Sequence, residues 1–339
     1  MTRHHALRRR IVCSLPIACA LLPHTASALD WGIQPRLDAG GMFYSLDIKG
    51  NVGQLTGVPQ VSQAPQLEAI EAVMPLVSGG VTVFADRFFL DLSAQGAFAG
   101  ESDFIDRSGS VNANTLFPGL GFPPGGEGGP RKTTGSTDLD RQEYAVSAGM
   151  QVTDSIAFFG GYKFGRTNFD NIKITDTANN VPIPDDQGAI VLFYNFDDRY
   201  TFDNRFDQEG FFFGGTMGTE VGGAGFLSFK VAIAFLTGEM SITGSDVFSQ
   251  SFVNAATGGL LSSSSNTFLI DNTIKGDTTG VNIGLSWNGA IPQVKGLSYT
   301  LSVDGYRYEF DGTFNEDSSV VPSFAETVAR FTAGVAYTF

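Results

Sequence analysis

The sequence predicts an all-β fold: a transmembrane antiparallel β-barrel of about ten strands, with twelve as the alternative, carrying short turns at one end and long loops at the other. Three observations lead there. Many segments of about ten residues alternate apolar with small or polar residues at period two. Short polar turns join these segments in pairs, and long polar stretches separate the pairs. The last segment, "RFTAGVAYTF", sets Phe331, Ala333, Val335, Tyr337 and Phe339 on one face against Arg330, Thr332, Gly334, Ala336 and Thr338 on the other. In water such a strand is a sticky edge; in hydrocarbon it survives only in a sheet closed on itself.

The opening stretch, "MTRHHALRRRIVCSLPIACALLPHTASA", has four arginines, then an apolar run over residues 11–23, then Ala26-Ser27-Ala28. This order of charged, apolar and small residues predicts a secretory signal peptide over residues 1–28 and a single barrel domain over 29–339. The run is too short to span a bilayer, which needs about 20 apolar residues, and Pro16-Ile17-Ala18 before Cys19 makes a poor lipidation site. Both cysteines and all three histidines fall in this segment. Residues 29–339 therefore offer no disulfide, no Cys/His zinc site and no histidine catalysis, and no cofactor is expected. With 35 acidic residues against 21 basic ones and a net charge of −14, before four arginines leave with the signal, no nucleic-acid partner is expected either.

The elements follow in order. A first strand is expected over 36–48. "APQLEAIEAVM" has helical spacing at Leu67, Ile70 and Val73 or Met74 and predicts a short loop helix. "GGVTVFADRFFLDLSAQGAF" is a hairpin turning at Ala85-Asp86-Arg87; "EYAVSAGMQV" and "IAFFGGYKFG" turn at Thr153-Asp154-Ser155. "GFFFGGTMGTEV" and "FLSFKVAIAFLTG" turn at Gly222-Gly223-Ala224-Gly225, and "TTGVNIGLSWNG" and "LSYTLSVDGYRYEF" join through residues 290–296. The last strand is expected over 327–339. The polar segments 49–70, 102–138, 169–207, 243–275 and 312–324 read as external loops, with "GAIVLFYNF" as an extra strand or an inward plug.

If the apolar faces meet lipid, Asp91, Arg141, Glu143, Lys163, Glu220, Lys230, Asp304 and Arg330 point inward, four acids with four bases. Buried charges persist best when paired, so the set reads either as an ion-pair network filling the barrel or as the constriction of a narrow channel for small polar solutes or ions. The channel is the leading expectation. Ala157, Gly161, Gly214, Gly218, Gly284 and Gly334 share the inward face and would leave room for water. About ten strands lies between eight, which side chains fill, and the open porins of 16 to 18. The alternative is a non-conducting structural or interaction barrel whose acidic loops meet lipopolysaccharide-associated cations or external partners. Arg307 breaks the alternation, which would aim it at lipid; a bulge at Gly305 or a place at the membrane rim would resolve it.

The terminal strand resembles the C-terminal signal of Gram-negative outer-membrane proteins, with Phe331, Val335, Tyr337 and Phe339 at the matching positions. The resemblance implies residence in the outer membrane and, as partners in assembly, the barrel-insertion machinery and periplasmic chaperones. Outer-membrane proteases, phospholipases and lipid A-modifying enzymes use histidine, so no enzyme is expected. "GGEGGPRKTT" lacks the glycine that a phosphate loop needs before Lys132. Phe-Asp repeats over residues 169–209 offer Asp197, Asp198, Asp203 and Asp207 as carboxylates for a loop cation, but their spacing fits no EF-hand, and turn formation is the favoured reading.

Overall fold

The computed structural model describes residues 31–49, 66–117, 122, 127–223, 225–314 and 323–339. The expected signal peptide lies outside the described residues. Ten strands follow one another: β1 (Trp31–Lys49), β2 (Ile70–Ala85), β3 (Phe88–Val111), β4 (Gly129–Thr153), β5 (Ile156–Pro184), β6 (Ile190–Glu220), β7 (Phe226–Asn254), β8 (Leu260–Ala290), β9 (Leu297–Phe314) and β10 (Ser323–Tyr337). A single helical turn, α1 (Ala113–Leu116), precedes β4; the Asn112 side chain caps it by accepting from the Thr115 amide at 3.0 Å.

Each strand pairs antiparallel with its sequence neighbours, and β1 also pairs with β10, so the sheet closes into a barrel. The last residue is part of that closure: the Phe339 amide donates to the Ile33 carbonyl at 3.1 Å. Closure satisfies the backbone groups that an open edge would leave unpaired in lipid. The turns at 86–87, 154–155, 221–225 and 291–296 lie at one end, with both strand termini of the ring, where the sequence places them. In the two-residue turn, Asp86 takes a left-handed backbone (φ 55°), which aspartate tolerates.

The side-chain pattern places the membrane. On β6, Phe211, Phe213 and Met217 face outward and are exposed, and on β7 so do Phe229, Val231, Ile233 and Phe235. Leu90 and Leu92 on β3, Val281, Ile283 and Leu285 on β8, and Phe331 and Val335 on β10 extend the band. It is about ten residues tall along each strand, the length a tilted strand needs to cross hydrocarbon.

Above the band the parity continues but its content inverts. Residues 209, 207, 205 and 203 of β6 are Glu, Asp, Arg and Asp and face outward, while Phe206, Phe202 and Phe196 face inward and are buried. Lipid has given way to water, so the apolar face turns to the barrel's own core. Strands β3 to β8 continue far beyond the rim, with β6 and β8 reaching 31 residues, whereas β9, β10, β1 and β2 have 18, 15, 19 and 16. One side of the barrel therefore rises as a tall wall.

Three expectations are corrected. Most of the polar segments 102–138, 169–207 and 243–275 are not loops but this wall, joined by short connections at 185–189 and 255–259. "GAIVLFYNF" is the tip of β6. The helical spacing near Ile70 belongs to strand β2, in which Ile70, Ala72, Met74 and Leu76 alternate into the core. Arg307 needs no bulge: the register runs unbroken through Gly305, and Arg307 lies exposed above the band, 3.7 Å from Glu309. Bulges occur elsewhere, at Ala99, Asn171 and Asn180, each with positive φ beside a register shift.

Candidate functional site

Inside the membrane-spanning part, side chains from five strands meet in one charged layer. Glu143 on β4 is its hub: Lys163 of β5 lies 3.4 Å away, Arg141 of the same strand 3.5 Å and Arg330 of β10 3.8 Å. The Tyr306 hydroxyl of β9 donates to Glu143 at 3.2 Å. Arg141 donates to Glu326 at 2.5 Å and to Thr167, and Arg330 pairs with Asp304 and donates to Gln95 at 2.5 Å. Lys163 donates to the Tyr308 hydroxyl at 2.9 Å. The Tyr306 ring carries three cations within reach of its face, with Lys163 at 4.8 Å, Arg330 at 5.5 Å and Arg141 at 5.6 Å from its centroid. Nearer the turns, Arg36 grips Asp91 with two bonds of 2.6 and 3.0 Å, and Thr82 donates to the same carboxylate.

Of the residues expected to point inward, Arg141, Glu143, Lys163, Asp304 and Arg330 take part, and Asp91 forms the separate pair with Arg36 nearer the turns. Lys230 also faces inward but makes no ion pair among the described residues. Glu220 does not belong to the layer; it ends β6 at the turn end, exposed beside a groove at the mouth. The sequence reading missed Arg36, Tyr44, Gln95, Tyr306, Tyr308 and Glu326. Period two carries the signal for Tyr306 and Tyr308, which share the parity of Asp304; Glu326 falls one residue outside the expected last strand.

Gly161 and Gly214 do not hold water open. Gly161 and Phe212 are cross-strand partners, as are Phe159 and Gly214. Each phenylalanine lies over its partner glycine: a Cβ on Gly161 would come within 2.8 Å of the Phe212 ring, and one on Gly214 within 2.6 Å of Phe159. The glycines make room for aromatic rings that enter the lumen.

One inward position above the charges, the lumen is apolar. Phe206 of β6 meets Phe310 of β9 and Phe324 of β10, with centroids 5.5 and 5.0 Å apart, and Phe310 stacks on Phe324 at 4.4 Å. Tyr44 of β1 reaches Phe169 of β5 at 6.0 Å. Met42, Leu46, Met74, Leu76, Ile172 and Ile174 complete a buried cluster that joins strands on every side.

Higher, within the wall, Asp198 of β6 faces Asp246 of β7, both buried, with the Tyr200 hydroxyl 3.1 Å from Asp198. Burial first, and then the facing Asp246, push the Asp198 carboxyl up to about 8, and burial raises Asp246 as well. Beside them Asp176 of β5 is held by Arg131 and Thr133 of β4. The loop-cation candidates separate: Asp198 points inward, while Asp197, Asp203 and Asp207 point outward, where Arg199 pairs with Asp197, the Asn171 amide donates to Asp203, and Arg166 and Arg205 pair with Asp207. No group of three or more metal-binding side chains occurs among the described residues.

The closed ring and the outward apolar band decide the class. The chain is a membrane-spanning β-barrel. No family model matches the chain, and no curated protein matches it. Solved structures similar to it include the outer membrane protease OmpT from Escherichia coli, at 9% identity and a TM-score of 0.45, covering 92% of this chain and 99% of that one. A Pseudomonas aeruginosa FadL homologue is similar at 10% identity and a TM-score of 0.29, covering 90% of each chain. The toluene transporter TodX of P. putida is similar at 7% identity and a TM-score of 0.22, covering 92% of this chain and 90% of that one.

Proposed function

We propose that this protein is a sealed, non-catalytic outer-membrane barrel whose tall wall is an interaction surface outside the cell. The reading is supported above all by contacts that cross the lumen. Glu143 and Tyr306 sit on β4 and β9, which are five places apart in a ring of ten, and still hydrogen-bond. A path for solutes would have to break these charged contacts and then the aromatic layer above them, at a cost of several kcal/mol for each uncompensated buried charge.

At the rim, lipopolysaccharide is the partner that the chemistry favours. Arg166, Arg205 and Lys275 line a groove of about 640 Å³ with Asp207, Glu209, Glu239 and Asp277, just above the lipid-facing Phe211 and Phe235. Arginines suit phosphates, and the carboxylates suit the divalent cations that accompany them. The outward-facing Phe331, Val335, Tyr337 and Phe339 at the C-terminal end support a role for the insertion machinery as the partner in assembly.

Liposome swelling tests the sealed reading. Vesicles carrying the refolded chain from residue 29 are expected to swell in sugars and amino acids no faster than empty vesicles. Fast, size-dependent swelling would instead support the channel.

A further inference from the structure

The charged layer borders a partly open cavity of about 50 Å³ lined by Lys230, Lys163, Arg330, Tyr308, Asn282 and the Glu143 carboxylate, with the rings of Phe159 and Phe212. About 10–15 Å³ of such space admits one water, so this one holds a few waters or one small ion.

Charge decides which. The layer contains four cations, Arg141, Lys163, Lys230 and Arg330, and three carboxylates, Glu143, Asp304 and Glu326. Glu143 is already shared by three of the cations, Glu326 is taken by Arg141 and Asp304 by Arg330. Lys230 is left over, with its chain lying along Gly284 beside Asp304 and no carboxylate within ion-pair distance. Arg36 and Asp91 form a separate pair nearer the turns. The one further acid at that level, Asp38, lies against Gly334, across the ring from β7. Lys230 is half-buried there, without a carboxylate of its own.

The cavity also supplies donors. Lys230 has three unused N–H groups, and the Tyr308 hydroxyl accepts from Lys163 and keeps its own hydrogen to give. Asn282 lines the same cavity and its amide can supply a further polar contact. Toward the turns the inward residues Ser228, Ser286, Ser302 and Asn288 are polar.

We propose that this cavity binds one small monovalent anion of chloride size, held by Lys230 with Lys163, Arg330, Tyr308 and Asn282. One surplus positive charge and the small volume select against sulfate and phosphate.

The test uses the refolded chain from residue 29 in detergent micelles, with sodium chloride replaced by sodium gluconate at constant ionic strength. Thermal unfolding is expected to shift upward with chloride and to saturate. Lys230→Gln should lose the shift, Lys230→Arg should retain it, and Lys275→Gln, altered at the outer rim, should retain it too. An equal melting temperature in both salts, or a full chloride shift in Lys230→Gln, overturns the proposal. If Lys230→Gln does not fold, crystals of the unaltered chain grown in bromide decide: an anomalous peak beside Lys230 supports the site, and an empty cavity refutes it.

Discussion

The Tyr306 hydroxyl donates to Glu143 at 3.2 Å, although the two residues stand on β9 and β4, diametrically opposite in the ring. A hydrogen bond of this kind exists only where the lumen is narrow enough to be bridged by two side chains. It makes the interior a packed core, and the consequences of removing parts of that core can be stated.

Glu143 compensates three cations at once, so Glu143→Gln leaves them facing one another. Loss of one partner of a buried charge group costs about 3–5 kcal/mol, which urea unfolding of the refolded protein in micelles should register. Tyr306→Phe removes one hydrogen bond and keeps the ring over its cations, and should cost about 0.5–1.5 kcal/mol. Glu220→Gln, at the exposed mouth, should stay within about 0.5 kcal/mol of the unaltered protein.

Phe206 and Phe324 touch from strands four places apart. Each alanine substitution should cost about 3–5 kcal/mol. In a double-mutant cycle the two should couple by about 0.5–1.5 kcal/mol; strict additivity would mean that the rings do not meet.

Gly214 lies against the Val231 carbonyl and under the Phe159 ring, both within 2.6 Å of where a Cβ would sit. Gly214→Val should therefore destabilise by about 1–3 kcal/mol through overpacking, and Phe159→Ala in the same chain should recover part of that loss. A valine tolerated without cost would show open space at this level of the lumen.

The acid pair in the wall predicts a pH dependence. Burial and the facing Asp246 push the Asp198 carboxyl up from its ordinary 3.8 to about 8. The folded chain keeps a proton that the unfolded chain releases between about pH 4 and 8, so stability falls as pH rises through that window and is level above it, with a slope of at most about 1.4 kcal/mol per unit. Asp198→Asn should match the unaltered protein near pH 4, exceed it at pH 8.5, and lose most of the slope.

The membrane-spanning half of this fold is legible in the sequence, because lipid outside and charge inside write opposite chemistries on alternate residues. The hairpin turns and the strand number follow from that pattern. The wall is harder to read because its polarity is reversed. In "FDDRYTFDNRF" the aromatic Phe196, Tyr200, Phe202 and Phe206 are buried inside and Asp197, Arg199, Asp203 and Arg205 face water. A search for outward apolar faces passes over such a segment and leaves a polar loop. The charged layer was legible one residue at a time, through parity, but its pairing was not: Arg141 and Glu326 are 185 positions apart and meet only through ring closure. Glycines on the inward face misled in a specific way, since their sequence neighbourhood does not say that a cross-strand phenylalanine occupies the space they leave.

Single-channel recording tests the sealed lumen most directly. The chain from residue 29, refolded and shown to be folded by its heat-modifiable gel mobility, is incorporated into a planar bilayer at neutral pH. The cross-lumen contacts predict an unbroken baseline without stable conductance steps. Reproducible steps of uniform size from the folded protein would contradict the account and return Arg330 and Glu143 to the role of channel-lining residues.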